Sequence, residues 1–210
     1  MGECAFNAMD SLLEILLTAQ YSKELPRQGL IQFGYKRGEA DSVAAHSFSV
    51  VLTAYLIARE MQKSMKVDIG RVLELAVLHD CGEFVLGDIG FFSKLVAKEI
   101  FDEIEKKAFG SLFANLDCAE ELSSLRDEYC KLNTLEAQIV KAADALDAIA
   151  LAVLTPSATY PKCDLISFKK MRDIAYSKLK QKNDFVAEFL LEASNRLFSN
   201  EIRPYMRHEG

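Results

Sequence analysis

Asn133-Thr134-Leu135-Glu136-Ala137-Gln138-Ile139-Val140-Lys141-Ala142-Ala143-Asp144-Ala145-Leu146-Asp147-Ala148-Ile149-Ala150-Leu151-Ala152-Val153-Leu154 is the stretch on which the fold turns. Asn133 with Glu136 three residues on predicts a capping-box start, and the apolar residues beyond it predict one helix to about Leu154. Asp144 stands out within it, because its neighbours at four and seven are Ala137, Val140, Ala148 and Leu151. A carboxylate on an apolar stripe is costly unless it meets a charge or a metal. Asp147 lies one turn on, again beside apolar residues.

The same spacing of three and four continues outward in both directions. Ala8, Leu12, Ile15, Leu16 and Ala19 predict a first amphipathic helix, followed by a turn-like stretch from Leu25 to Gly38. Helices are predicted over 41–65 and from the N-cap Asp68 to His79. Gly82, Gly87 and Gly90 break the next dozen residues into a turn-rich connection. Phe91 to Phe113 reads as one helix and Ala119 to Tyr129 as a shorter one. A surface loop is predicted at 155–161, two more helices over 165–200, and loose chain in the last ten residues.

Composition agrees with that pattern. The chain has 210 residues, half of them apolar, with ten glycines and four prolines. Those are too few for the many tight turns of an all-β protein. The prediction is a single all-α domain, a helical bundle over 1–210. A net charge of −6 without a Lys/Arg track argues against nucleic acid as a partner. No run approaches the roughly 18 apolar residues of a membrane span, so no membrane partner is expected. The N-terminus lacks a signal-peptide layout, and Phe6 breaks the myristoylation pattern. Five unpatterned cysteines read as reduced thiols, which predicts a cytoplasmic protein.

Two of the three histidines sit at odd places. His79 falls on the stripe Val72, Leu75, Ala76, and His46 shares a face with Val43, Val50 and Thr53. One buried histidine is ordinarily a hydrogen-bonded core residue. Two imidazoles with the carboxylates of Asp80 and Asp144 are the nitrogen–oxygen set that suits a divalent transition metal. Cys81 touches the His-Asp pair in sequence, but neighbours on a helix point about 100° apart, so it need not face an ion.

In order and spacing His46, His79-Asp80 and Asp144 resemble the HD-domain phosphohydrolase superfamily. Ala45-His46-Ser47-Phe48, His79-Asp80-Cys81-Gly82-Glu83, Gly87-Asp88-Ile89 and Val140-Lys141-Ala142-Ala143-Asp144-Ala145-Leu146-Asp147 are similar to its 5'-deoxynucleotidase-like branch. The resemblance spans about residues 25–150. It implies an HD-type helical bundle, an enzyme, and one divalent ion (manganese, cobalt, magnesium, zinc, iron or nickel) on His46, His79, Asp80 and Asp144. It further implies a 5'-phosphomonoesterase acting on (deoxy)nucleoside monophosphates. Glu83 is assigned to orient water, Asp88 to the leaving-group side and Arg27 to clamp the phosphate. Lys94 and Lys141 are weaker candidates for the phosphate and read first as solvated helix faces. Members often dimerise, and apolar residues in the C-terminal helices would permit a homodimer here.

The chain departs from the branch in two places. Gly90-Phe91-Phe92 follows Gly-Asp-Ile where a proline is usual, and Gln28-Gly29-Leu30 stands where many members carry tryptophan. Both departures bear on sugar and base preference rather than on metal binding. Phe84 and the absence of histidine at 81–92 point away from tetraphosphate and triphosphate hydrolases of the superfamily. Two alternatives stay open: hydrolysis of another small phosphate ester or pyrophosphate, and a non-catalytic metal- or nucleotide-binding protein.

Overall fold

The chain folds as α-helices joined by short turns, with no strand among the residues that the structure, a computed structural model, describes. These are residues 3–155, 161–199 and 202–205. In chain order the helices are α1 (Glu3–Tyr21), α2 (Gln28–Gln32), α3 (Val43–Met61), α4 (Ile69–Leu78), α5 (Glu83–Leu86) and α6 (Phe91–Val96). They continue with α7 (Lys98–Phe113), α8 (Ala119–Lys131), α9 (Leu135–Leu154), α10 (Pro161–Lys180) and α11 (Asp184–Phe198). No described helix is long and apolar enough to cross a membrane.

Side-chain caps set the three helices that matter most. Ser42 Oγ accepts the Ala45 N–H at 3.2 Å to open α3, and Asp68 Oδ1 accepts the Arg71 N–H at 3.0 Å to open α4, as predicted for Asp68. At α9 the cap is Thr134, whose hydroxyl accepts the Ala137 N–H at 3.3 Å, and not Asn133. Tertiary contacts decide between these two good capping residues. Asn133 instead accepts a bond from Lys182 at 3.2 Å, and Glu136 accepts the Asp68 N–H at 2.9 Å, so the expected box is replaced by a tie between α9 and α4.

α9 is the central element, packed against α3, α4, α8, α10 and α11. Its small residues make that possible: Ala137, Ala142, Ala143, Ala145, Ala148 and Ala152 are all buried. The main core joins α3, α4 and α9 with Phe109, Phe113, Leu179 and Leu190 from the later helices. A second cluster gathers Leu30, Phe33, Tyr35 and Phe168 over the other end of α9, and Phe33 meets Phe91, Phe92 and Phe168 edge to face.

Three expectations are corrected. The turn-like stretch 25–38 contains α2. The helix expected over 91–113 breaks at Ala97, whose backbone (φ −138°, ψ 48°) leaves the helical region without a glycine or proline to announce it. In α1 the period holds but the phase is off: Leu12 and Leu16 are exposed, and the inward face runs through Ser11, Ile15 and Ser22 beyond the helix end. Of the loop expected at 155–161, residues 156–160 lie outside the described residues, as does much of the C-terminal ten.

Candidate metal centre

His46 sits one turn into α3, His79 caps the C-terminal end of α4, Asp80 follows it, and Asp144 lies in the middle of α9. Packing of α3 and α4 on α9 brings all four expected ligands together. His46 Nε2 lies 3.4 Å from Asp80 Oδ2 and 3.4 Å from Asp144 Oδ1, and His79 Nε2 lies 3.0 Å from Asp80 Oδ2. Ligand atoms about 2.1 Å from one ion stand roughly 3.0–3.4 Å apart at right or tetrahedral angles, so these separations suit one shared cation.

The stronger test is hydrogen bonding. Nε2 of His46 and Nε2 of His79 are both buried and have no hydrogen-bond partner among the described residues. Buried ring nitrogens are rarely left so, and two of them converging on two carboxylates fit a cation. Each ligand is meanwhile held by its outward atom. His79 Nδ1 donates to the Ala76 carbonyl at 2.8 Å, which leaves Nε2 as the lone-pair nitrogen. Asp144 Oδ2 accepts from Lys141 Nζ at 2.7 Å and from the Tyr129 hydroxyl at 3.2 Å, which leaves Oδ1 inward.

His46 Nδ1 has two neighbours at 2.7 Å, Asp147 Oδ2 and Arg27 Nη1. One nitrogen cannot both donate to a carboxylate and accept from a guanidinium. The bond to Asp147 is the one that leaves Nε2 free for an ion.

Electrostatics follow from crowding acids around imidazoles. Burial and Arg27 push His46 toward neutrality, but Asp144, Asp147 and Asp80 outweigh them and raise its pKa well above the usual histidine value. Burial opposes ionisation of Asp80, yet His79 and His46 hold its pKa well below the usual range. Asp144 is likewise held low against burial, by Lys141 first and then His46. Tyr129 is raised by burial and by Asp144, so it stays a phenol able to donate.

Arg27 reaches the site through backbone pairing. Its N–H donates to the Asp41 carbonyl at 3.0 Å and the Val43 N–H donates to the Leu25 carbonyl at 2.9 Å, around an isolated bridge between Pro26 and Ser42. The guanidinium lies on the Nδ1 side of His46, opposite the converging Nε2. Burial opposes its charge, but Asp41, Asp88, Asp144 and Asp80 raise its pKa overall. Asp88 is aimed by Gly87, whose positive φ of 80° turns the chain back after α5. Asp88 Oδ2 then accepts the Gly29 N–H at 3.0 Å. Glu83 opens α5, is buried, and has its pKa raised well above the usual range by burial and then by Asp80 and Asp88.

Some functional residues escaped the sequence. Asp147 was conspicuous on its apolar stripe but had no task, and here it orients His46. Tyr129 carried no signal at all. Lys94 and Lys141, expected on solvated faces, instead pair with Glu83 and Glu105 and with Asp144. Cys81 behaves as expected: its thiol donates to the Val77 carbonyl at 3.3 Å, and burial pushes its pKa up to about 12.

A helical bundle with a His, His-Asp, Asp centre of this geometry defines an HD domain, and the chain belongs to that family, which matches residues 19–185. Among individual proteins it is similar to the 5'-deoxynucleotidase HDDC2 of Xenopus laevis, at 31% identity over 155 residues, covering 72% of each chain. The 5'-deoxynucleotidase HDDC2 of Danio rerio is 30% identical over 143 residues, 67% of this chain and 68% of the relative. A solved structure from Pyrococcus horikoshii superposes with a TM-score of 0.72 at 28% identity, covering 88% of this chain and 99% of that one. The fold also matches a Magnetospirillum magnetotacticum protein described as a predicted metal-dependent phosphohydrolase, with a TM-score of 0.65, 21% identity, and coverage of 94% and 100%.

Proposed function

We propose that the protein is a metal-dependent phosphomonoesterase that removes the 5'-phosphate from deoxynucleoside monophosphates. The observation that carries this reading is the pair of orphaned, buried Nε2 atoms converging with Asp80 and Asp144. The similarity to the 5'-deoxynucleotidases supports the substrate class.

His46, His79, Asp80 and Asp144 would hold one divalent ion. Such an ion, when bound, supplies Lewis acidity to a phosphoryl oxygen and makes water a better nucleophile near neutral pH. The rest falls to the chain's own groups. Glu83, whose pKa is raised by burial and then by Asp80 and Asp88, is a stronger base than an ordinary carboxylate and is suited to take a proton from the attacking water. Asp88, fixed through one oxygen by Gly29, keeps the other for the leaving ribose oxygen. Arg27 carries a guanidinium that can bond two phosphate oxygens at once. The same reading takes 1–210 as one domain and places the enzyme in the cytoplasm.

Phosphate release from a panel of deoxy- and ribonucleoside 5'-monophosphates tests it, with chelator and then with manganese, cobalt, magnesium, zinc, iron or nickel restored. The expected result is deoxynucleotide hydrolysis that chelation abolishes and one of these ions restores. Metal-free protein that is fully active refutes the reading. Hydrolysis confined to other phosphate esters refutes its substrate class.

A further inference from the structure

Glu83 is 5% exposed and has two further carboxylates, Asp80 and Asp88, within electrostatic reach. A carboxylate so buried needs a cation or gives up its charge. The cation comes from α6: Lys94 Nζ lies 3.7 Å from Glu83 Oε1 and 2.7 Å from Glu105 Oε1 on α7. Three successive helices therefore meet at one nitrogen.

Backbone details hold them there. Gly82 lets the start of α5 press against α7, since a Cβ at that position would stand 3.1 Å from the Glu105 carbonyl oxygen. Gln32 pins the first turn of α6, accepting the Phe92 N–H and donating to Ser93 Oγ, both at 3.1 Å. Gly90 leaves the space that the Gln32 amide fills.

We propose that Lys94 is a positioning residue: tethered by Glu105, it holds the buried Glu83 carboxylate in place beside the ligand cluster. Burial opposes the ammonium charge, but Glu83 and Glu105 outweigh it, and Lys94 stays charged throughout the neutral range. Lys94 is the partner that faces solvent, at 36% exposure against 7% for the Glu83 side chain.

The kinetic part of this inference rests on the nucleotidase reading, whereas the contact does not. A double-mutant cycle of Lys94→Met and Glu83→Gln, read by urea unfolding of the metal-free protein, tests the contact. The two changes are expected to be coupled by about tenfold in the folding equilibrium. Strict additivity overturns the proposal whatever the substrate. With manganese and a deoxynucleoside monophosphate, Lys94→Met is expected to lose about 10- to 100-fold in kcat, with KM and metal content unchanged. Lys94→Arg recovers most of that loss, and Glu105→Gln shows a smaller loss of the same kind. Unchanged kcat in folded Lys94→Met overturns the role, and so does raised KM at unchanged kcat, which would make Lys94 a substrate ligand. Should Lys94→Met fail to fold, Lys94→Arg and Glu105→Gln decide the matter on the same readouts. Wild-type protein inert toward every nucleotide refutes the nucleotidase reading instead, and the unfolding cycle then decides Lys94.

Discussion

Replacing Asp147 with asparagine perturbs one atom pair, the 2.7 Å contact between Asp147 Oδ2 and His46 Nδ1. The carboxylate selects the tautomer in which Nδ1 carries the proton and Nε2 is free. An asparagine amide can turn either way, and Arg27 Nη1 already stands 2.7 Å from Nδ1, ready to donate to it. Arg27 then favours the wrong tautomer, with the proton on Nε2, and the amide no longer opposes it. Losing the partner of a metal-binding histidine typically weakens metal affinity about 10- to 100-fold, or roughly 1.4–2.7 kcal/mol. The competing guanidinium and the low exposure of Asp147, 15% of its side chain, put Asp147→Asn at the upper end. Calorimetric titration of the chelated and dialysed protein with manganese at neutral pH reads the loss directly. Asp147→Glu, which keeps a carboxylate, should recover part of it. Adding Arg27→Leu to Asp147→Asn should also recover part, because the competitor for Nδ1 is gone. An Asp147→Asn protein of native helical content that binds manganese as tightly as the parent would falsify this account of His46.

Two further outcomes are expected. Glu83→Ala should retain bound metal while turnover falls by ~100- to 10,000-fold, the scale of a lost general base, as measured by phosphate release and elemental analysis on one preparation. Metal lost together with activity would instead give Glu83 a place among the ligands or in the packing. The pH dependence of metal binding follows from His46, whose pKa is raised in the metal-free fold by Asp144, Asp147 and Asp80 against burial and Arg27. Its proton must leave before Nε2 can bind an ion, so affinity should climb by up to about tenfold per pH unit from the ordinary histidine range up to the raised value. For the same reason the stability that protonated His46 gives the metal-free protein is full below its unfolded value and lost as pH rises through the folded one. Asp80 and Asp144, held low, act in the opposite sense: their stabilisation is present above the ordinary carboxylate range and lost as pH falls through their folded values. A manganese affinity that is flat with pH would contradict the assignment.

Where the sequence was legible, a local rule decided the outcome. The period of three and four marked the long helices, and Asp68 opened α4 because nothing distant competed for its side chain. Where two local rules were equally good, a distant residue decided. Asn133 and Thr134 are adjacent capping residues, and the choice fell to distant partners: Lys182, 49 residues from Asn133, and Asp68, 68 residues from Glu136. The break at Ala97 has no breaker residue, so no local rule could find it. His46, His79 and Asp144, proposed to hold the metal, were legible as a set, because two imidazoles and a carboxylate on apolar stripes are anomalous together although one histidine is not. Lys94 was not, since a lysine in a short helix is ordinary until the acids of α5 and α7 are brought to it.

Asp147 shows why anomaly alone finds a residue but not its task. Asp144 and Asp147 are three apart on α9, so they lie on one face with a rise of about 4.5 Å between them. The imidazole of His46 enters from α3 between these two carboxylates, with Nε2 3.4 Å from Asp144 Oδ1 and Nδ1 2.7 Å from Asp147 Oδ2. In the proposed site, one turn of α9 would therefore supply both a ligand beside His46 and the group that aims His46 at the same ion. Ala143, Ala145 and Ala148 beside these acids are all buried, so this part of α9 is enclosed by the helices packed around it. In the proposed site, affinity for the ion would thus depend on how α3 packs on α9 as well as on the four ligands, because the two contacts of His46 are made across that helix pair.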